Sequence, residues 1–104
     1  MAQFIKVGST GDFKDRKSGK LVEAAGRSIA VFSVGGNFYA IDNACTHRGG
    51  PLSEGFLEGE EVVCPWHQAR FNVKTGAVLE PPAKEGVRSY PVRISGEDVE
   101  VQVD

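Results

Sequence analysis

Along this chain the apolar positions come in short alternating runs and nowhere sustain a helical period. "SIAVFSV" (Ser28–Val34) and "FYAID" (Phe38–Asp42) are rich in β-branched and aromatic side chains. They flank Gly35, Gly36 and Asn37, residues that accept turn conformations, so the pattern predicts a hairpin. "GEEVVC" predicts a strand running into Cys64. "ARFNV" (Ala69–Val73) predicts the strand after it, turned by "KTG" (Lys74–Gly76) into "AVL". "VRSYPVRI" (Val87–Ile94) and "DVEVQV" (Asp98–Val103) predict two more strands, joined through "SGE" (Ser95–Glu97). Short strands at this spacing point to an all-β protein, an antiparallel sandwich or barrel. "DFKDRKSGKLVEAAG" (Asp12–Gly26) is less patterned. It reads as a solvated loop before a strand near Leu21 and Val22, with Lys14, Arg16, Lys17 and Lys20 in water rather than on a ligand.

Length and composition add limits. A chain of 104 residues is expected to be one domain, residues 1–104, able to bury roughly 60 to 70 per cent of its unfolded surface. Hydrophobic content of 40% and charged content of 25% are ordinary for a globular protein. A net charge of −2 gives no field that would favour nucleic acid or a membrane surface. The N-terminal "MAQFIKVGST" lacks the basic and apolar regions of a secretory leader, and no apolar run approaches membrane-spanning length, so a cytoplasmic location is expected.

The chemistry concentrates in two boxes. Cys45-Thr46-His47 lies in "ACTHRGG" and Cys64-Pro65-Trp66-His67 in "VCPWHQARF"; together they use every cysteine and every histidine of the chain. A structural zinc site usually pairs cysteine with cysteine and histidine with histidine, whereas each box here is mixed. Mixed boxes suit a binuclear cluster with unlike ends, two thiolates on one iron and two imidazoles on the other.

These boxes, in the context "CTHRGGPLSEG" and "CPWHQARFNVKTGAVLEPPA", resemble the small Rieske [2Fe-2S] ferredoxins of bacterial oxygenase systems. The resemblance extends from about Ile29 to the C-terminus and is weak before Gly26. It implies an antiparallel fold with a small cluster-binding subdomain whose loops span about 43–52 and 63–71. It also implies one [2Fe-2S] cluster, with Cys45 and Cys64 on the inner iron and His47 and His67 on the outer, more exposed one. Gly49 and Gly50 would let backbone N–H groups approach the sulfurs, and Pro81 and Pro82 resemble the proline loop that covers the cluster. Trp66 would shield the iron, border a docking surface or simply pack at the loop tip, and Arg48 and Arg70, which flank the ligands, would pair with a partner's carboxylates or lie in water. Gln68 departs from the glycine common after the second histidine. The extra loop cysteines of respiratory Rieske proteins are absent. So are the serine and tyrosine hydroxyls that high-potential members place two and four residues after the second histidine, where this chain has Ala69 and Phe71.

The function implied is that of a one-electron carrier between a flavin-dependent NAD(P)H reductase and a terminal oxygenase, monomeric and in transient contact with each. With four protein ligands the cluster has no open iron, so the chain is expected not to be an enzyme itself. The alternatives are a small Rieske-like subunit of a nitrite reductase and a zinc-stabilised interaction module. The acidic residues Glu54, Glu58, Glu60 and Glu61 either face a partner or lie in a solvated loop.

Overall fold

The computed structural model describes residues 3–13, 19–44, 51–65, 69–80 and 86–103. Within them run strands β1 (Phe4–Ser9), β2 (Lys20–Ala24), β3 (Arg27–Val34), β4 (Asn37–Asp42), β5 (Phe56–Glu58), β6 (Glu61–Val63), β7 (Arg70–Asn72), β8 (Val78–Glu80), β9 (Ser89–Tyr90), β10 (Val92–Ser95) and β11 (Asp98–Gln102). Two short 3-10 turns cover Thr10–Phe13 and Leu52–Glu54. The strands form three antiparallel sheets, ordered β1-β11-β10, β2-β3-β4-β9 and β5-β6-β7-β8. The all-β antiparallel expectation therefore holds.

The sheet β2-β3-β4-β9 is central because its apolar residues do not alternate with polar ones. In β3, Ile29, Ala30, Val31 and Phe32 are all buried. Successive side chains point to opposite faces, so a continuous apolar run requires cover on both. Ile29 and Val31 join Ala40, Tyr90, Val99, Val101 and Val103 in one core. Ala30 and Phe32 join Ile41, Leu52, Val62, Cys64, Ala69, Phe71, Val73 and Val87 in the other. β11 shows the contrasting pattern, with Val99 and Val101 buried between half-exposed neighbours, as a strand covered on one face should.

The expected β3–β4 hairpin forms, paired from Ile29↔Asp42 to Val34↔Asn37. Its turn uses Gly35 and Gly36 at φ of 55° and 87°, the doubly positive geometry that matches strand twist. Three features differ from the sequence expectation. β1 and β5 form where no strand was expected. "VRSYPVRI" is two strands rather than one: β9 pairs with β4 in the central sheet and β10 pairs with β11 in the outer one. The break falls at Pro91, which has no N–H to continue a ladder and offers only its carbonyl, which accepts the Gln102 N–H at 2.9 Å.

Candidate metal centre

β6 and β7 pair through Val62↔Phe71 and Val63↔Arg70, and the N–H of Cys64 donates to the Ala69 carbonyl at 2.7 Å. This bond closes the base of the loop that carries the second box. Cys64 itself is only 1% exposed and its thiol is in no disulfide. It packs in the core that also holds Leu52, Ala69, Phe71 and Val87.

The first box is framed in the same way. Ala44 and Pro51 form an antiparallel bridge across it, and the carbonyl of Asn43 accepts the Leu52 N–H at 2.7 Å. The Asn43 side-chain oxygen accepts the Ser53 N–H at 2.8 Å, so one residue fastens the returning chain twice. A third base joins the chain after β7 to the segment before β9. Val87 donates to the Gly76 carbonyl at 2.8 Å, and Gly76 sits at a φ of 80°, where any side chain would collide with the Val87 carbonyl. Leu52, Cys64, Ala69 and Val87, one or two from each base, meet in a single core. Three loops thus spring from one packed platform.

Asp42 joins the first and third bases. Its N–H donates to the Arg88 carbonyl at 2.9 Å, and its carboxylate accepts the Arg88 N–H at 3.3 Å and the Tyr90 hydroxyl. Burial first, then the bond to Asp42 and its negative charge, push the Tyr90 phenol above its ordinary range, with Arg27 opposing.

Of the expected ligands, the structure describes Cys64; Cys45, His47 and His67 lie outside the described residues. So do Lys14, Arg16, Lys17, Arg48, Gly49, Gly50, Trp66, Gln68, Pro81 and Pro82. Among the described residues no three His, Cys, Asp or Glu side chains converge as a metal site. Ala69 and Phe71 are fully buried and bring no hydroxyl to the platform. Arg70 is engaged within the chain, with Glu58 at 2.9 Å and Glu61 at 3.4 Å. Lys20 pairs with Asp12 at 2.9 Å. Asp42, Asn43 and Tyr90 carried no sequence signal of a role. Asn43 directly precedes the box-bearing loop, but its capping partner Ser53 is ten residues away and is revealed only by folding.

The donor chemistry suits an iron-sulfur group. A thiol without a disulfide partner, held at a loop base and surrounded by apolar side chains, is a soft ligand in a site that excludes water. Comparison with known proteins agrees. The family model for the Rieske [2Fe-2S] domain matches residues 3–91, and the chain belongs to that family. It therefore carries one [2Fe-2S] cluster. The match also includes the N-terminal residues whose sequence resemblance was weak. The chain is 44% identical, over 79% of its own length and 79% of the relative's, to the ferredoxin component of the naphthalene 1,2-dioxygenase system of Pseudomonas aeruginosa. Its structure is similar to the ferredoxin of carbazole 1,9a-dioxygenase from Nocardioides aromaticivorans IC177, with a TM-score of 0.92 at 30% identity, covering 98% of this chain and 99% of that one. It is also similar to the ferredoxin in a complex of reduced oxygenase and oxidized ferredoxin of carbazole 1,9a-dioxygenase, with a TM-score of 0.88 at 33% identity, over 95% and 92% of the two chains. The chain is an electron-transfer component of this ferredoxin type and not a catalyst.

Proposed function

We propose that the chain, as one cluster-binding domain spanning residues 1–104, takes single electrons from a flavin-dependent NAD(P)H reductase and delivers them to a terminal oxygenase. Cys45 and Cys64 hold the inner iron, and His47 and His67 the outer. The bound cluster supplies a one-electron couple whose irons are all ligated. The protein's part is to hold the two boxes in register and keep water from the inner iron. The observation that supports this reading best is the core shared by the three loop bases, with Cys64 buried in it. A relative at 44% identity serves a dioxygenase system, which favours an oxygenase as acceptor over a fixed nitrite reductase assembly. Among the described residues no helix is long and apolar enough to cross a membrane, in keeping with a cytoplasmic carrier. Contacts with reductase and oxygenase are transient, and the carrier is a monomer between them.

Purified protein should be red-brown, with about two irons and about two acid-labile sulfides per chain. Product formation by a reconstituted reductase and aromatic-ring dioxygenase should depend on its addition. Zinc in place of iron, with no visible absorbance, overturns the reading. A stable dimer that buries both histidines overturns the transient carrier.

A further inference from the structure

The outer face of the β5-β6-β7 sheet has an unusual composition. Leu57, Val62 and Phe71 point inward to the core, so Phe56, Val63 and Arg70, one register position along, form a row on the opposite face. This row is the one nearest the second box, because Val63 precedes Cys64 and Arg70 follows Ala69. Phe56 is 77% exposed, the most exposed of the large hydrophobic side chains among the described residues. The next row, Glu58↔Glu61↔Asn72, is polar. Arg70 reaches across to both glutamates, leaving this pair of rows net negative, and exposed Glu54, in the turn two residues before Phe56, makes no ion pair with a described residue.

We propose that this face is a docking surface for a redox partner protein that presents lysines and arginines around an apolar recess. The proposal rests on the carrier reading above and adds to it a lateral contact on β5, beyond any contact at the ligand histidines. Charge decides the occupant. A second copy would bring the same excess of glutamates against this one, whereas a basic rim would pair with Glu54, Glu58 and Glu61 while the recess took Phe56 out of water. An aromatic anchor inside a charged rim is the arrangement in which one residue dominates binding and the charges steer approach.

The test uses reduced holoprotein and two acceptors, basic cytochrome c and the small anion ferricyanide, followed by stopped-flow absorbance. Cytochrome c reduction by the wild type should slow as salt is added. Glu54→Lys should lower the low-salt rate by about threefold to tenfold and flatten the salt dependence. Glu97→Lys makes the same change of net charge at the exposed β10–β11 turn and should change the rate by less than about twofold. Phe56→Ser should slow transfer about fivefold with the salt dependence kept, and Phe56→Leu should recover most of the loss. Ferricyanide rates and the midpoint potential should not fall in any variant. Equal losses from Glu54→Lys and Glu97→Lys, or no loss from Phe56→Ser, overturn the surface. A parallel loss of the ferricyanide rate or potential places the effect in the cluster and also overturns it. A wild type that reduces neither acceptor overturns the carrier reading, and this surface with it.

Discussion

On one side of the central sheet, β1, β10 and β11 run to six, four and five residues and fill a core of Val99, Val101 and Val103 against Ile29 and Val31. On the other side, β5, β6, β7 and β8 are three residues each. Their core includes Cys64, a proposed ligand, and each of three loops begins or ends on it. The first side is held by ordinary burial, and among the described residues its core includes none from the two boxes. The second has too little ladder to be stable alone, since strands this short bring few hydrogen bonds and little apolar area. Ligation is expected to supply the missing constraint there. One chain thus joins a self-sufficient scaffold to a cofactor-dependent platform.

The most damaging test of that contrast is Cys64→Ser. It should abolish the cluster, read as iron and labile sulfide. Amide exchange should then show protection lost across residues 61–73 while 29–32 and 99–101 keep theirs. Uniform loss would mean that the two sides form one cooperative unit. The reverse experiment is Ile29→Ala, which empties a fully buried site on the scaffold side. It should cost about 2 to 5 kcal/mol in urea unfolding while leaving the visible spectrum of the folded holoprotein unchanged.

Much of the scaffold was legible because its signals are local. The Gly35-Gly36 turn and the apolar run Ile29–Phe32 identify β3 and β4 without reference to the rest of the chain. β1 was not legible: its residues are mostly half-buried, and its register shifts between Lys6 and Gly8. β5 was hidden by brevity. The β9–β10 break was hidden because Pro91 leaves the apolar pattern on either side intact and only the change of pairing partner reveals it. The two boxes stand out by residue type and spacing, and of their four expected ligands Cys64 lies among the described residues. Asp42 does not stand out, because an aspartate at a strand end is unremarkable until folding brings it to Arg88 and Tyr90.

Smaller perturbations sharpen the contrast. Tyr90→Phe removes the hydroxyl that donates to Asp42 and should cost about 1 kcal/mol. The folded pKa of Tyr90 is raised above its ordinary 10.0, so the stability it contributes is complete below about pH 10 and fades as pH rises through the folded value. The gap between wild type and Tyr90→Phe should therefore be constant at neutral pH and narrow in the alkaline range, as urea midpoints would record. The gentlest change is Ala69→Ser, which places a hydroxyl on the platform beside Cys64. The wild-type potential is expected near the bottom of the Rieske range, about −150 mV. A hydrogen bond stronger in the reduced state by about 0.5 to 1.5 kcal/mol should raise it by roughly 20 to 60 mV. Film voltammetry measures both values; a wild-type midpoint above about +100 mV would show that other donors dominate.

The double burial of β3 also bears on biogenesis. "SIAVFSV" has no charge, no proline and no glycine, and alternates side chains suited to stacking against copies of itself, which is the composition of an aggregation-prone segment. In the finished protein the outer scaffold shields Ile29 and Val31, and the platform shields Ala30 and Phe32. If ligation closes the platform, a newly made chain that has not yet received iron is expected to have the first shield in place and the second only loosely closed, with the Phe32 face open to self-association. Iron supply during synthesis is then expected to set yield as well as colour, and starving an expression culture of iron should move this chain from the soluble to the pelleted fraction.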